Sequence, residues 1–251
     1  MQIYTLQSGP RHGVYNMALD ETLLEWARRQ PTAVLVARTY TWTLSTLSLG
    51  VNQPDKDWPA LQAVYPDAAC RVRRPTGGRA ILHGEDISYS LVSNAPALLA
   101  KPLKASFCEL SALVTTALTT LGIPLQTDCQ ASDQAYARSP VCFETRCPTD
   151  LRTAGGQKIA GAAQRRRKHG ILQHGTVFPP APLPEAEFAS ALFDAVSTFY
   201  SRPVAPFPLS EIACGLQTLL PHYQNESDRL SMSTREKALT TAGSHFAPAS
   251  S

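Results

Sequence analysis

The chain has 251 residues, of which 43% are hydrophobic and only 17% charged, and its formal net charge is +3 at pH 7. This composition is typical of one globular domain, with room for a small appendage, and excludes a disordered chain. The small net charge argues against broad binding to nucleic acid. No run of 18 apolar residues occurs, and Met1 to Arg11 lack the apolar stretch of a signal peptide. We therefore expect a cytoplasmic protein that engages neither nucleic acid nor a membrane.

Cysteine usage gives little sign of a disulfide framework or a metal centre. The six cysteines are Cys70, Cys108, Cys129, Cys142, Cys147 and Cys214. In a cytoplasmic chain we expect them to be free thiols. Only Cys142 and Cys147 lie close together, and no second Cys/His pair accompanies them, so the sequence predicts no metal site.

The first half of the chain predicts one helix and four strands. The helix covers residues 17–29, with Asn16 as its N-cap and with Asp20 and Glu21 in its first turn. β-branched, aromatic or alternating residues predict strands over 33–40, 46–51, 79–82 and 87–92.

The remainder of the chain predicts three helices and two further strands. Ser106 and Glu109 suggest a capping box for a helix over 107–121, and Pro184 opens a helix over 184–200. Strands are predicted over 157–164 and 170–178, and a short helix over 210–220. This alternation indicates an α/β (α+β) fold with a mixed sheet flanked by helices.

The first chemically informative segment is Arg73-Arg74-Pro75-Thr76-Gly77-Gly78-Arg79, followed by Ala80 to His83. Adjacent glycines between two strands let the backbone pass close to a bound ligand. An ordinary hairpin turn beside solvated arginines would explain the same residues. The segment matches neither the phosphate-binding loop nor the dinucleotide fingerprint.

Two later segments also carry candidate residues. Lys158 stands among small residues that include Gly161, where an ammonium group could stabilise negative charge on a carbonyl oxygen. A solvated lysine after a tight turn is the alternative. His174 precedes Gly175 and could be a general base, a ligand-positioning group or a core histidine.

Four segments together resemble the lipoate–protein ligase and octanoyltransferase superfamily: Asn16 to Glu21, residues 73–83, residues 155–164 and residues 172–176. The resemblance covers about residues 3–178. It implies a mixed-sheet fold related to the biotin–protein ligase catalytic domain, with a hydrophobic acyl tunnel and with Lys158 at the acyl carbonyl. The implied substrate-binding residues are Arg74, Gly77, Gly78, Arg79, His83, Gly161 and His174. We expect residues 1–222 to form this catalytic domain and residues 223–251 to form a polar, partly disordered tail.

Within that superfamily, residues 73–79 look like the R-R-P-T-G-G-R pattern of cysteine-dependent octanoyl-ACP:protein N-octanoyltransferases. Cys142-Phe143-Glu144 matches the C-F-[DE] segment of those enzymes, which implies Cys142 as the nucleophile and Lys158 as the cation that favours its thiolate. The implied donor is octanoyl-acyl carrier protein, the implied acceptor a lipoyl-type domain protein, and no cofactor is expected. His83 and His174 are both candidates for proton transfer.

Two alternative functions remain open. An ATP-dependent lipoate–protein ligase has the same fold, but such ligases usually carry a third glycine where this chain has Arg79. Many also have an accessory domain, for which we expect this chain to be too short. A non-catalytic acyl-binding protein would not need both Cys142 and Lys158. Cys147 departs from the pattern of the cysteine-dependent octanoyltransferases. It is a second thiol, and the sequence does not assign its role.

A basic run, Arg165 to Lys168, also has two interpretations. The simpler one is a solvated strand end. The other is a surface that meets an acidic carrier or acceptor domain and speeds association.

Overall fold

The computed structural model of the chain describes residues 1–126, 150–153 and 155–243, and side chains as far as residue 228. In chain order, the strands are β1 (Gln2–Arg11), β2 (Val34–Trp42), β3 (Thr46–Leu49), β4 (Cys70–Arg73), β5 (Ile81–His83), β6 (Ile87–Ser93), β7 (Leu125–Gln126), β8 (Leu151–Thr153), β9 (Lys158–Arg167), β10 (Gly170–Val177) and β11 (Val204–Pro206). The helices are α1 (Gly13–Ala27), α2 (Trp58–Val64), α3 (Pro96–Leu99), α4 (Leu103–Thr120), α5 (Glu185–Tyr200) and α6 (Ala213–Gly243).

The described strands form a large mixed sheet and a small one. The large sheet has the order β11-β1-β2-β6-β10-β9-β8-β7, and the small one the order β4-β3-β5. In the large sheet β1 pairs in parallel with both β11 and β2. The neighbouring strands in the rest of that order, β2-β6-β10-β9-β8-β7, pair antiparallel. The predicted mixed sheet is confirmed.

Helices cover both faces of the large sheet because its central strands alternate apolar side chains between the two faces. On β2, Leu35 and Ala37 pack with α4 and α5, whereas Val34 and Val36 pack with α1. Burial on both faces is typical of strands that lie between two helical layers. The small sheet packs separately against α2, through Leu47, Leu49, Trp58 and Leu61.

Two predicted helix starts are wrong because their supposed caps bond elsewhere. Helix α1 begins at Gly13, and His12 caps it by accepting a hydrogen bond from the backbone of Val14. The side-chain oxygen of Asn16 instead accepts from Arg38. Helix α4 begins at Leu103, and Ser106 lies inside it, where its hydroxyl donates to the Leu103 carbonyl and to Gln164.

The C-terminal helix extends well beyond its predicted end near residue 220. A 3-10 turn over Leu209–Ile212 leads into α6, which continues through Pro221 to Gly243. The predicted tail thus begins inside a helix that packs on the body. The Tyr223 hydroxyl donates to Glu21, and Glu226 forms an ion pair with Arg73. Proline predicts a helix end because it lacks the N–H donor, but these tertiary contacts hold the helix together across it.

No helix in the described part of the chain is long and apolar enough to cross a bilayer.

Candidate active site

A cleft with a free volume of about 70 Å³ lies between the small sheet and strands β9 and β10, and it is partly open to solvent. Met17, Tyr40, Trp42 and Ile81 supply apolar wall. The cleft brings together six residues predicted for the site: Arg74, Gly78, His83, Lys158, Gly161 and His174. Gly77 and Arg79 were predicted for the same site and do not line it. Cys142, the predicted nucleophile, and Cys147 lie outside the described residues.

The glycine segment is a crossover connection, so its interpretation as a hairpin turn is wrong. Strands β4 and β5 pair with opposite sides of β3, and the segment between them passes from one side to the other. Gly78 has a φ of +95°, which favours glycine. A Cβ on Gly50 would lie 2.1 Å from the Gly78 carbonyl oxygen, so these two backbones meet where a side chain would not fit.

Arg74 holds this crossover segment in place. Its guanidinium donates to the carbonyl oxygens of Ser48, Gly77 and Arg79 at 2.8–3.0 Å. A Cβ on Gly78 would lie 2.7 Å from Arg74 Nη2, so the missing side chain makes room for the guanidinium. Arg74 therefore both shapes the glycine segment and forms part of the cleft wall.

Lys158 is buried against a carboxylate, so its interpretation as a solvated lysine is wrong. Its ammonium lies 3.0 Å from Asp150 Oδ2, and each of the two side chains is only 5% exposed. A Cβ on Gly161 would lie 3.3 Å from Lys158 Cε and 3.5 Å from both Lys158 Nζ and Asp150 Oδ1. Because Gly161 has no side chain, it leaves room beside the cleft for the Lys158–Asp150 ion pair.

His174 belongs to a buried network that begins on α1. Its Nδ1 lies 2.9 Å from Asp20 Oδ2, and its Nε2 lies 2.5 Å from the hydroxyl of Thr76. Arg38 is fully buried and forms a 2.6 Å ion pair with the same Asp20. The Tyr40 hydroxyl also donates to Asp20, at 3.1 Å. The network ties α1 and β2 to the start of the glycine segment.

Electrostatics set the protonation states in this network. Burial raises the pKa of Asp20, but Arg38 and the hydrogen bond from His174 outweigh it and leave that pKa below its usual value. Burial lowers the pKa of His174; Asp20 opposes the shift without cancelling it. At neutral pH, His174 is therefore a neutral imidazole beside a carboxylate whose charge Arg38 balances. This arrangement favours a positioning role.

His83 makes a second histidine–carboxylate pair at the cleft. Its Nδ1 lies 2.9 Å from Asp86 Oδ2 and its Nε2 lies 2.8 Å from Ser48 Oγ. The ring stacks on Trp42 at 4.1 Å between centroids. Asp86 also accepts hydrogen bonds from Ser88 and Thr176 and from the Gly84 backbone. Burial opposes its ionisation, but His83 and these donors together lower the pKa of Asp86.

Sequence reasoning missed the carboxylates that orient these residues. Asp20 lies in a segment used for the family resemblance, but it was given only a helix-dipole role. Asp86 follows His83 by three residues, which is a weak signal. Asp150 carries no local signal at all, since its partner Lys158 is brought to it by the turn between β8 and β9.

The basic run on β9 is largely structural. Arg165 donates to the carbonyl of Pro75 at 2.6 Å. Arg166 donates to the carbonyls of Leu98, Leu99 and Lys101, which lie at the end of α3. Arg167 and Lys168 are exposed and remain available to a partner.

Cys70, Cys108 and Cys214 are free thiols, as predicted. No three histidine, cysteine or carboxylate side chains among the described residues are grouped so that they could hold a metal ion.

The chain resembles known proteins in sequence and in fold. It is 36% identical over 180 residues to octanoyltransferase LipM of Lysinibacillus sphaericus, a match that covers 69% of this chain and 64% of the relative. It is 33% identical over 178 residues to octanoyltransferase LipM of Bacillus subtilis, covering 68% and 63% respectively. Its fold is similar to that of a lipoate-protein ligase A bound with ATP, with a TM-score of 0.69, 18% identity and coverage of 88% and 95%.

The sequence also matches a family model along most of its length. The model describes the lipoyl protein ligase A/B catalytic domain and matches residues 12–213. The chain spans slightly less than two thirds of the length of the octanoyltransferases it resembles. The match, together with the fold and the cleft, shows that the chain belongs to the lipoyl protein ligase A/B catalytic domain family.

Proposed function

We propose that the chain transfers an octanoyl group from octanoyl-acyl carrier protein to a lysine of a lipoyl-type acceptor protein, through a thioester on Cys142. The observation that carries the proposal is a buried lysine facing a partly apolar cleft in a relative of octanoyltransferases. The reaction would serve lipoate synthesis.

We assign the acyl tunnel to the cleft beside Lys158. A saturated chain offers no polar group, so its affinity comes from buried methylene groups, each worth about 0.8 kcal/mol. Met17, Tyr40, Trp42 and Ile81 provide apolar surface for such a chain. Polar groups of the cleft, among them Arg74, Lys158 and His174, would meet the thioester end.

Lys158 would stabilise the negative charge that develops on the acyl carbonyl oxygen. An ammonium group fixed in a site that excludes water needs little reorganisation as the reaction proceeds. Asp150 supports this role because it orients the ammonium at 3.0 Å, and Gly161 supports it because no side chain shields the ammonium from that side.

In the proposed chemistry, the Cys142 thiolate attacks the carbonyl carbon of the donor thioester, and the carrier's sulfur leaves as a thiolate that takes up the proton Cys142 has lost. The acceptor lysine amine then attacks the acyl-cysteine, the carbon–sulfur bond breaks and an amide forms. A thioester is already activated, so neither half of the reaction needs ATP. The exposed Arg167 and Lys168 would attract acidic partners.

Intact mass spectrometry tests this proposal. We expect one octanoyl adduct when the protein is mixed with octanoyl-acyl carrier protein in the absence of ATP, and loss of the adduct when a lipoyl domain is added. Cys142→Ala should form no adduct, whereas the matched Cys147→Ala variant should form it normally. A normal adduct in Cys142→Ala would refute Cys142 as the nucleophile, and transfer that requires free octanoate and ATP would show a ligase instead.

A further inference from the structure

Two histidine–carboxylate pairs border the cleft, and they have the same local geometry. In each, Nδ1 of the imidazole lies 2.9 Å from an aspartate oxygen, and Nε2 contacts a hydroxyl, which gives Asp20–His174–Thr76 and Asp86–His83–Ser48. The two pairs differ in how the carboxylate charge is balanced and in whether the hydroxyl reaches the cleft.

We propose that Ser48, His83 and Asp86 form a proton relay that accepts the proton lost by the acceptor lysine before it attacks the acyl group. The inference rests on the acyl transfer proposed above and adds a group that the transfer needs. A lysine side chain is an ammonium ion near neutral pH, with an ordinary pKa of about 10.4, and only its neutral amine is a nucleophile.

The hydrogen bonds give the relay a direction. Asp86 accepts from Gly84, Ser88 and Thr176, which is the pattern of an ionised carboxylate, so His83 Nδ1 carries a hydrogen towards it. His83 Nε2 then holds the lone pair and accepts the hydrogen of Ser48 Oγ at 2.8 Å. Ser48 Oγ keeps lone pairs of its own, and Ser48 lines the cleft. A donor arriving in the cleft can therefore pass a proton to His83 through this hydroxyl.

The charges around the two histidines decide between them. The Asp20 carboxylate is already paired with Arg38 at 2.6 Å, whereas among the described residues Asp86 pairs with no cation other than a protonated His83. Thr76 does not line the cleft, so the hydroxyl that contacts His174 Nε2 is not exposed to substrate. Asp86 can therefore stabilise an imidazolium at His83, as a carboxylate does for the histidine of a catalytic triad.

Neighbouring groups act on His83 from every side. Trp42 stacks on its ring and favours the cation, since an aromatic face attracts positive charge. Arg74, which donates to Ser48 Oγ at 3.3 Å, and the nearby His174 disfavour it.

The step is balanced in atoms and charge. One proton of the lysine ammonium passes to Ser48 Oγ while the serine hydrogen passes to His83 Nε2, and His83 later returns it to solvent. The amine nitrogen forms the bond to the acyl carbon and the carbon–sulfur bond breaks. The second amine proton leaves with the cysteine sulfur as a thiol.

Single-turnover transfer tests the relay with His83→Asn, whose amide can still donate to Asp86. The protein is first acylated with octanoyl-acyl carrier protein, and transfer to a lipoyl domain is then followed between pH 7 and 9. At pH 7 we expect transfer about 10²-fold slower than in the wild type, with normal thioester formation. The deficit should shrink as pH rises, because more of the lysine is then already neutral. Ser48→Ala should behave alike, and the matched His174→Asn should show a deficit that does not vary with pH.

Three results would overturn the relay: a deficit in His83→Asn that is constant with pH, an equal loss of thioester formation, or an octanoyl adduct on Ser48. Absence of any thioester on the wild-type protein would instead refute the proposed acyl transfer, and the relay with it.

Discussion

The ammonium of Lys158 lies 3.0 Å from the carboxylate of Asp150, and both side chains are almost completely buried beside the cleft. Arg152 lies 3.6 Å from the same carboxylate. A buried ion pair couples the stability of the fold to the function of the site, because removal of one partner leaves the other charge unpaired.

Lys158→Met should therefore lower both rate and stability. We expect transfer to slow by about 10²–10³-fold because the carbonyl oxygen loses its stabilising charge. The free energy of unfolding should fall by about 3 kcal/mol, at the low end for a broken buried pair because Arg152 still faces Asp150. The double variant Lys158→Met/Asp150→Asn should recover most of the stability and none of the rate. Recovery of activity in the double variant would show that the lysine is structural.

Gly161→Ala tests the space around that ion pair. The new Cβ would lie 3.3 Å from Lys158 Cε, so the ammonium must shift by a few tenths of an ångström. We expect transfer to slow by about tenfold, since small displacements of a positioned group have large effects on rate. The melting temperature should change little. The control is Gly77→Ala, whose Cβ meets no described atom within 4 Å; an equal loss of rate in both variants would contradict the assignment.

Gly78→Ala should destabilise the fold, because the residue has a φ of +95° and the new Cβ would lie 2.7 Å from Arg74 Nη2. We expect a loss of about 1–3 kcal/mol in the free energy of unfolding, measured by chemical denaturation. Gly77→Ala again serves as the control and should keep its stability.

Acid should destabilise the protein in two stages. The folded pKa of His174 lies below its unfolded value of 6.5, so the unfolded chain binds more protons and stability falls as the pH drops below about 6.5. Asp20 and Asp86 have folded pKa values below 3.8, and their contribution is lost as the pH falls below that value. The free energy of unfolding should be measured from pH 8 to pH 3. In His174→Asn, its decline with falling pH in the first stage, below about pH 6.5, should be less steep by up to about 1.4 kcal/mol per pH unit. An unchanged slope would show that His174 does not titrate in this way.

Tyr223 should be important for stability even though it follows the predicted domain boundary at residue 222. It is 3% exposed, packs with Val14 and Met17, and donates to Glu21 at 2.6 Å. Tyr223→Ala should cost about 3–5 kcal/mol, and Tyr223→Phe, which removes only the hydroxyl, about 1 kcal/mol. Denaturation curves of the two variants measure the difference. Wild-type stability in Tyr223→Ala would support a boundary at residue 222.

Local pattern in the sequence determined the presence of helices α1, α4 and α5, several strands of the large sheet, and the family. Strands β2, β6, β9 and β10 and helix α5 follow from runs and periods of apolar residues, which depend on neighbours along the chain. The segments around Gly77, Lys158 and His174 indicated the superfamily, and the cleft brings these three segments together. Whether Cys142 is the nucleophile stays a prediction.

Tertiary structure alone decided which polar groups meet. Asp20 and His174 are 154 residues apart, and Arg38 and Thr76 reach them from two other elements. The start of α1, the continuation of α6 past Pro221 and the route of the glycine segment were decided in the same way. The physical reason is common to all of them. A buried polar group needs a hydrogen-bond or charge partner, and which partner it has depends on the packing of elements distant in sequence. Apolar periodicity, by contrast, only requires a side chain to face inwards.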